Sequence, residues 1–147
     1  MVITPYMNKL QTQQNQRWYC IDAKDFFLGK LSVSVSNIIR GFNKNSFNFN
    51  RKCNDIVIIL NSKKINLSGN KFIKKSYMTY SGYFGNEKYT SFKDFIYKNS
   101  NKVLFLSIKR MLPKTRSLMS LVIKNVKVYP EEKHPHVSQK SSLIFCN

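Results

Sequence analysis

Residues 55–60 begin with an aspartate and continue as an unbroken apolar run rich in isoleucine and valine. A run without polar alternation is typical of a strand that is buried on both faces at the centre of a parallel sheet. Other strand patterns lie nearer the two ends of the chain, at 17–21 and at 126–129, and Pro130 ends the latter as the last strand. Because helical patterns separate these strands, the order of elements predicts an α/β layer architecture.

The segments between the strands carry helix signals. A turn at 22–25 precedes a helix that begins near Leu28 and ends at Gly41, where a glycine cap belongs. Ser91 caps a second helix, with Asp94 as its capping partner. The residues that share buried faces in these and later helices are Leu31, Val35, Ile38, Ile39, Phe92, Phe95, Ile96, Leu118, Leu121 and Val122. Residues 64–67 are predicted to form a further strand, and 75–80 fits either a strand or a loop.

A cluster of cations surrounds the end of a helix at 109–114. Leu104, Ile108, Met111 and Leu112 recur at helical spacing, so this face is expected to be buried, and Pro113 ends the helix. The cations that project from this end are Lys109, Arg110, Lys114 and Arg116. This arrangement suits a phosphate backbone, although cations at a helix C-terminus also complement the helix dipole.

The charge balance of the whole chain points to a polyanion as partner. The sequence has 25 Lys and Arg against 7 Asp and Glu, a net charge of +18. Nucleic acid is the common polyanion, since each phosphate contact releases counterions. A membrane is disfavoured, because no stretch approaches the roughly 18 apolar residues of a spanning helix. The cations are spread along the chain, which favours a folded domain with basic faces over a basic tail.

The loop at 81–86 combines two glycines with neighbouring lysines and tyrosines. Gly82 could let the backbone approach a phosphate closely. Lys74, Lys75, Tyr77 and Tyr80 lie just before this loop. Cations for phosphates and aromatic rings for unpaired bases are the combination that RNA-binding proteins use. The alternative is an ordinary tight turn with its tyrosines in the core.

The sequence offers little catalytic chemistry. Three widely spaced cysteines without a CxxC pair favour free thiols. His134 and His136 flank a proline, and without a third ligand of suitable spacing they favour contacts with a partner over a metal site. Asp22 and Asp55 could meet at a sheet edge, but turn and capping roles explain them equally well. Neither GxGxxG nor GxxxxGK[ST] is present. We therefore predict no enzyme activity, cofactor or metal.

Several short motifs, in order, resemble the ribosomal protein L13 family of the large subunit. They are WYCIDA at 18–23, LGKL at 28–31, RG at 40–41, DIVIILN at 55–61, LSGNK at 67–71, SGY at 81–83, MLPK at 111–114, VKVY at 126–129 and HPH at 134–136. The resemblance extends from about residue 17 to residue 139. The chain departs from the family pattern at Arg110 and Asn86, where glycine is usual.

The resemblance implies a three-layer α/β/α fold around a central, mainly parallel sheet of about four strands. The domain occupies 17–130, between a polar N-terminal extension at 1–16 and an extended tail at 131–147. The implied role is to bind large-subunit rRNA and to support subunit assembly and translation beside neighbouring ribosomal proteins, without a membrane or a small-molecule substrate. The predicted rRNA-binding residues are Arg40, Lys44, Lys71, Lys74, Lys75, Tyr77, Tyr80, Gly82, Lys109, Arg110, Lys114, Arg116, His134 and His136.

Residue usage suggests the compartment. Lys outnumbers Arg 20 to 5 and Asn is abundant, as in proteins from AT-rich genomes. The N-terminal 16 residues resemble neither a signal peptide nor a transit peptide. We therefore expect an organellar ribosome, with a plastid preferred to a mitochondrion or a bacterial cytoplasm. One other function stays open, an RNA-binding translational regulator acting off the ribosome. A small nucleotide-dependent enzyme on an α/β sheet is disfavoured by the absence of a glycine fingerprint.

Overall fold

A computed structural model describes residues 16–45, 47, 53–114, 120, 124–139 and 141–143. The main sheet has four strands, β1 (Trp18–Asp22), β2 (Ile56–Leu60), β5 (Val126–Val128) and β6 (Ser142–Leu143), in the order β5-β2-β1-β6. Every pairing within it is parallel. With its flanking helices, the sheet confirms the predicted three-layer α/β/α architecture. The apolar run at 55–60 supplies the interior strand β2, as predicted.

Helix α1 (Leu28–Arg40) and helix α3 (Phe92–Met111) cover the sheet and pack on each other. The apolar face predicted for α1 is buried, and Gly41 ends this helix with a left-handed φ of 79°. Ser91 caps α3 as predicted, because its hydroxyl accepts a hydrogen bond from the amide of Asp94. Asn99 has non-helical angles, so α3 is kinked at the boundary between the two helices that the sequence predicts.

The main core lies between these helices and one face of the sheet, and Ile58, which points to the opposite face of β2, is also fully buried. The largest fully buried side chains of the main core are Phe92, Ile21, Leu31, Ile39, Ile59, Leu104 and Ile108. On the strands, alternate residues point to the core, so Ile21 and Ile59 enter it from adjacent strands. No helix among the described residues is long and apolar enough to cross a membrane.

A separate hairpin rises from the N-terminal end of α3. Helix α2 (Lys71–Lys74) precedes β3 (Ser76–Tyr80), which pairs antiparallel with β4 (Glu87–Ser91). The sequence left 75–80 open between strand and loop, and it did not assign β4 to a strand. The strand β4 is polar on the exposed hairpin, so it lacks the apolar pattern by which buried strands are recognised.

Three predictions about individual segments are wrong. Residues 64–67 are not a strand: a 3-10 turn (Ser62–Lys64) follows the left-handed Asn61, and only an isolated bridge joins Asn66 to Phe27. Met111 is 48% exposed although Leu104, Ile108 and Leu112 are buried as predicted. The strand at 126–128 is not the last, because β6 adds to the edge of the sheet beside β1. The amphipathic segment predicted around Leu118, Leu121 and Val122 lies outside the described residues.

Candidate nucleic-acid interface

Cations converge on the ring of Tyr77 at the base of the hairpin. The Nζ atom of Lys75 lies 5.3 Å from the ring centroid, and Cζ of Arg110, on the last turn of α3, lies 5.9 Å from it. The positive charge of Lys71 also acts on Lys75. We call Lys71, Lys75 and Arg110 the cation cluster. Sequence reasoning selected all three residues, but the approach of Lys75 and Arg110 to one tyrosine appears only in the structure.

The core holds this cluster in place. Tyr77 is only 7% exposed, and its ring packs against Phe92 and Phe95 of α3, with centroids 6.2 Å and 5.0 Å away. The backbone amide of Phe92 also donates a hydrogen bond to the carbonyl of Lys75, at 2.8 Å. The base of the hairpin is thereby fixed to the helix that carries Arg110. Since the ring of Tyr77 is buried, its part in an interface is to position the cations around it.

The cluster is electrostatically unbalanced. Burial lowers the pKa of Lys75, and the positive charges of Arg110 and Lys71 lower it further. Burial raises the pKa of Tyr77, with Arg110 and the Ser107 hydroxyl acting in the opposite direction. Among the described residues the only ion pairs are Lys44 with Asp55 and Lys63 with Glu131, so no carboxylate pairs with the cluster. A bound phosphate would remove this repulsion.

Other predicted cations lie on the elements that carry the cation cluster. Lys74 is exposed on α2, Lys109 is exposed on the last turn of α3, and Lys114 is exposed just after that helix ends. Gly82 lies in the hairpin turn with a φ of 95°, and no atom lies within 4 Å of a Cβ built there, so its backbone is open to solvent. Arg116 lies outside the described residues.

Two predicted cations lie at the end of α1 instead. Arg40 stacks on Phe42, with Cζ 4.3 Å above the ring centroid. Lys44 makes a 2.7 Å ion pair with Asp55, which is 2% exposed and also accepts a 3.0 Å hydrogen bond from the amide of Arg17. Lys44 therefore neutralises a buried carboxylate at the start of β2.

The two histidines pack on aromatic rings of the sheet. Nε2 of His136 lies 2.9 Å from the hydroxyl of Tyr129, and its ring lies 5.4 Å from that of Trp18. Nδ1 of His134 accepts a 3.2 Å hydrogen bond from the amide of His136. Both rings are half-buried, so each keeps part of its surface accessible. The proline between the two histidines indicates a rigid segment, but nothing in the sequence indicated that Tyr129 and Trp18 would contact His136.

The carboxylates do not assemble a reactive centre. Asp22 and Asp55 lie at opposite ends of the neighbouring strands β1 and β2. Asp22 accepts hydrogen bonds from the side-chain amide of Asn61 and the backbone amide of Lys24, and Asp55 is held by Lys44. In the described part of the chain, no group of three His, Cys, Asp or Glu residues is placed to hold a metal.

The structure also shows exposed apolar side chains that the site prediction omitted. Tyr83 and Phe84 project from the hairpin turn, and Phe84 is fully exposed. Ile73 of α2 is exposed beside the lysines. The sequence does indicate Tyr83 and Phe84 as contact residues, since an aromatic pair between two glycines is unusual in a solvated turn.

This fold and this surface define a class: a basic α/β protein with the surface chemistry of an RNA-binding protein. The family model described as "Ribosomal protein L13" matches residues 16–135. The chain belongs to the ribosomal protein L13 family. This confirms the resemblance that the ordered motifs indicate.

Curated relatives carry a matching name. The "Large ribosomal subunit protein uL13" of Mycoplasma genitalium is 40% identical over 141 residues, which is 96% of each chain. The protein of that name from Malacoplasma penetrans is 40% identical over 144 residues, 98% of each chain. The protein from Helicobacter pylori strain Shi470 is 38% identical over 124 residues, 84% of this chain and 87% of the relative.

Proposed function

We propose that this protein is a structural constituent of the large ribosomal subunit, where it binds rRNA and supports subunit assembly and translation. Family membership and the full-length match to proteins named for the large subunit support this role. The proposal includes no catalytic step, cofactor or small-molecule substrate. Its partners are large-subunit rRNA and neighbouring ribosomal proteins.

The cation cluster is the observation that carries the proposal. Lys75 and Arg110 approach one buried tyrosine, Lys71 adds its charge beside Lys75, and the part of the chain that the structure describes supplies no carboxylate to pair with them. Such repulsion is a cost in the free protein that a phosphate backbone removes on binding. The net charge of +18 makes a polyanion the expected partner for the rest of the surface as well.

The proposed rRNA surface extends from this cluster. Lys74, Lys109 and Lys114 contact phosphates on either side of it, and Gly82 brings the hairpin backbone close to the strand. Arg116, which lies outside the described residues, is a further proposed contact on the grounds of its sequence alone. The aromatic cluster of His134 and His136 and the stacked Arg40 are separate, secondary contacts. Tyr77 and Lys44 differ from the exposed lysines of this surface, because Tyr77 is buried and Lys44 is paired with Asp55.

A triple substitution tests the basic end of α3. Replacing Lys109, Arg110 and Lys114 with Ala should weaken rRNA binding and flatten its salt dependence by roughly three counterions. The matched control replaces Lys93, Lys98 and Lys102, which are three exposed lysines on the same helix. Equal losses in the two triple variants would mean that net charge, and not this surface, determines binding.

The compartment is a finer proposal. We propose a ribosome of bacterial type in a plastid, on the strength of the bias toward Lys and Asn. The relatives named above are bacterial, and bacteria with AT-rich genomes share such a bias. Probing purified organelles and cytosol of the source cell for this protein tests the location independently of its ribosomal role.

Sedimentation tests the ribosomal role. A lysate is separated on density gradients at low and high salt, and the fractions are probed for this protein. Co-migration with large subunits that survives high salt is the expected result. A peak of free protein at both salt concentrations would refute the ribosomal role and favour a regulator that acts off the ribosome.

A further inference from the structure

The two faces of the β3–β4 hairpin differ in chemistry. Met78 lies directly opposite Tyr89, and Tyr80 lies directly opposite Glu87. Residues two apart on a strand share a face, so these four side chains form one surface, which we call the outer face. The other face holds the buried Tyr77 with Thr79 and Lys88, and is continuous with the cation cluster.

The outer face is apolar and uncovered in the described part of the chain. Met78, Tyr80 and Tyr89 are 57%, 51% and 65% exposed. A two-stranded hairpin is only marginally stable by itself, and large apolar side chains exposed together on one face mark a contact surface. The hydroxyl of Tyr89 donates a 3.1 Å hydrogen bond to Oε2 of Glu87, so this ring lies beside the carboxylate of the same face.

The charge of the outer face is the opposite of the charge of the protein. Its one ionisable acid, Glu87, is one of only seven carboxylate residues in a chain of net charge +18. No lysine or arginine belongs to the four side chains of this face. A phosphate backbone would be repelled by Glu87, whereas a cationic side chain would be attracted to it. The lysines of the hairpin and its base lie on the other side, where a polyanion is favoured.

We propose that the outer face binds an extended protein segment that carries lysine or arginine beside apolar residues, contributed by a neighbouring protein of the large subunit. The cation would pair with Glu87, and the apolar residues would pack on Met78, Tyr80 and Tyr89. Tyr80, which the sequence predicts to contact rRNA, would then contact protein instead. Methionine adapts its shape to such a contact, and tyrosine supplies large area at low entropic cost. The hairpin would thus be held between RNA on one side and protein on the other. This proposal rests on the ribosomal role proposed above.

Site-specific photo-crosslinking in purified large subunits tests the proposal. Met78, on the outer face, is replaced by benzoylphenylalanine in one variant, and Thr79, on the opposite face, in a matched variant. We expect position 78 to crosslink to a ribosomal protein, in a peptide that contains lysine or arginine, and position 79 to crosslink to rRNA. Crosslinks from position 78 to rRNA, or the absence of a protein crosslink there, would overturn the proposal.

A charge reversal supplies the second measurement. Glu87→Lys in the variant that carries the crosslinker at position 78 should lower the protein crosslink about tenfold, because like charges would then meet. Glu131→Lys reverses an exposed carboxylate outside the hairpin and should leave the yield unchanged. An unchanged yield with Glu87→Lys would contradict the role of this carboxylate. If the unsubstituted protein does not sediment with subunits at all, the ribosomal role fails instead, so the two failures are distinguishable.

Discussion

Lys44 is the residue for which sequence and structure assign the most different roles. The sequence predicts a phosphate contact, whereas the structure shows a 2.7 Å ion pair with a carboxylate that is 2% exposed. Lys44 itself is only 17% exposed. We therefore expect Lys44→Met to damage the fold and to leave most of the RNA affinity of the folded protein intact.

The expected loss of stability in Lys44→Met follows from the loss of the ion pair of Asp55. Removing one partner of a buried ion pair costs about 3–5 kcal/mol, because the remaining charge is left uncompensated. The amide of Arg17 still donates to Asp55, which favours the lower end, about 3 kcal/mol. For a chain of this length, each kcal/mol corresponds to about 2–4 °C in Tm, so a fall of roughly 6–12 °C is expected.

Equilibrium urea unfolding followed by circular dichroism measures this loss, with the denaturant slope expected to stay constant. Lys74→Met, at an exposed lysine of α2, is the control and should change stability by less than about 0.5 kcal/mol. A variant that carries Lys44→Met and Asp55→Leu together should recover much of the loss, since neither charge is then left alone. If Lys44→Met is as stable as the wild type and lowers the salt slope of RNA binding by about one counterion, the assignment of Lys44 to the fold is wrong.

Three further predictions concern the core, the cap of α1 and the cation cluster. Phe92→Ala should lower the free energy of unfolding by about 3–5 kcal/mol in urea titrations, because this ring is fully buried where the hairpin joins α3. Gly41→Ala should lower the free energy of unfolding by about 1–2 kcal/mol, because φ is 79° and the new Cβ would lie 3.1 Å from Cβ of Cys53. Gly29→Ala is the control: its Cβ would lie in open space, so thermal stability should rise slightly. The pKa of Lys75 is lowered in the folded protein, so just below the usual value of 10.5 the unfolded chain binds more protons at this group, and Lys75 contributes a rise of stability with pH, which the raised pKa of Tyr77 opposes. The slope of stability against pH in this window should therefore be less positive for Lys75→Met than for the wild type, and equal slopes would contradict the contribution of Lys75.

The sequence predicts the elements whose burial leaves a periodic pattern. The run at 55–60 and the face of α1 are recognisable because most of their buried side chains are apolar. The strand predicted at 64–67 was wrong because the apolar residue Ile65 is buried although it follows a 3-10 turn and does not lie on a strand. The strand β4 is polar and β6 has only two residues, so their composition does not identify them. They become strands by pairing with β3 and β1.

The candidate site shows a similar division. Each cation was recognisable singly as part of a basic chain. The meeting of Lys75 with Arg110 at the ring of Tyr77 depends on how the hairpin packs against α3, which local pattern does not encode. The role of Lys44 likewise depends on Asp55, which lies 11 residues away along the chain and is brought close by the fold.

Because the short strand β6 is made long after β1, the main sheet can be completed only late in synthesis. Strand β6 pairs with β1, and the hydroxyl of Ser142 donates a hydrogen bond to the carbonyl of Trp18 across a separation of 124 residues. While the chain emerges from the ribosome that makes it, one edge of β1 therefore stays open until Ser142 and Leu143 have been translated. Contacts of such long separation form slowly, so this edge of the sheet closes late at the strand that was made first. The supply of assembly-ready protein would then depend on translation at least as far as Leu143.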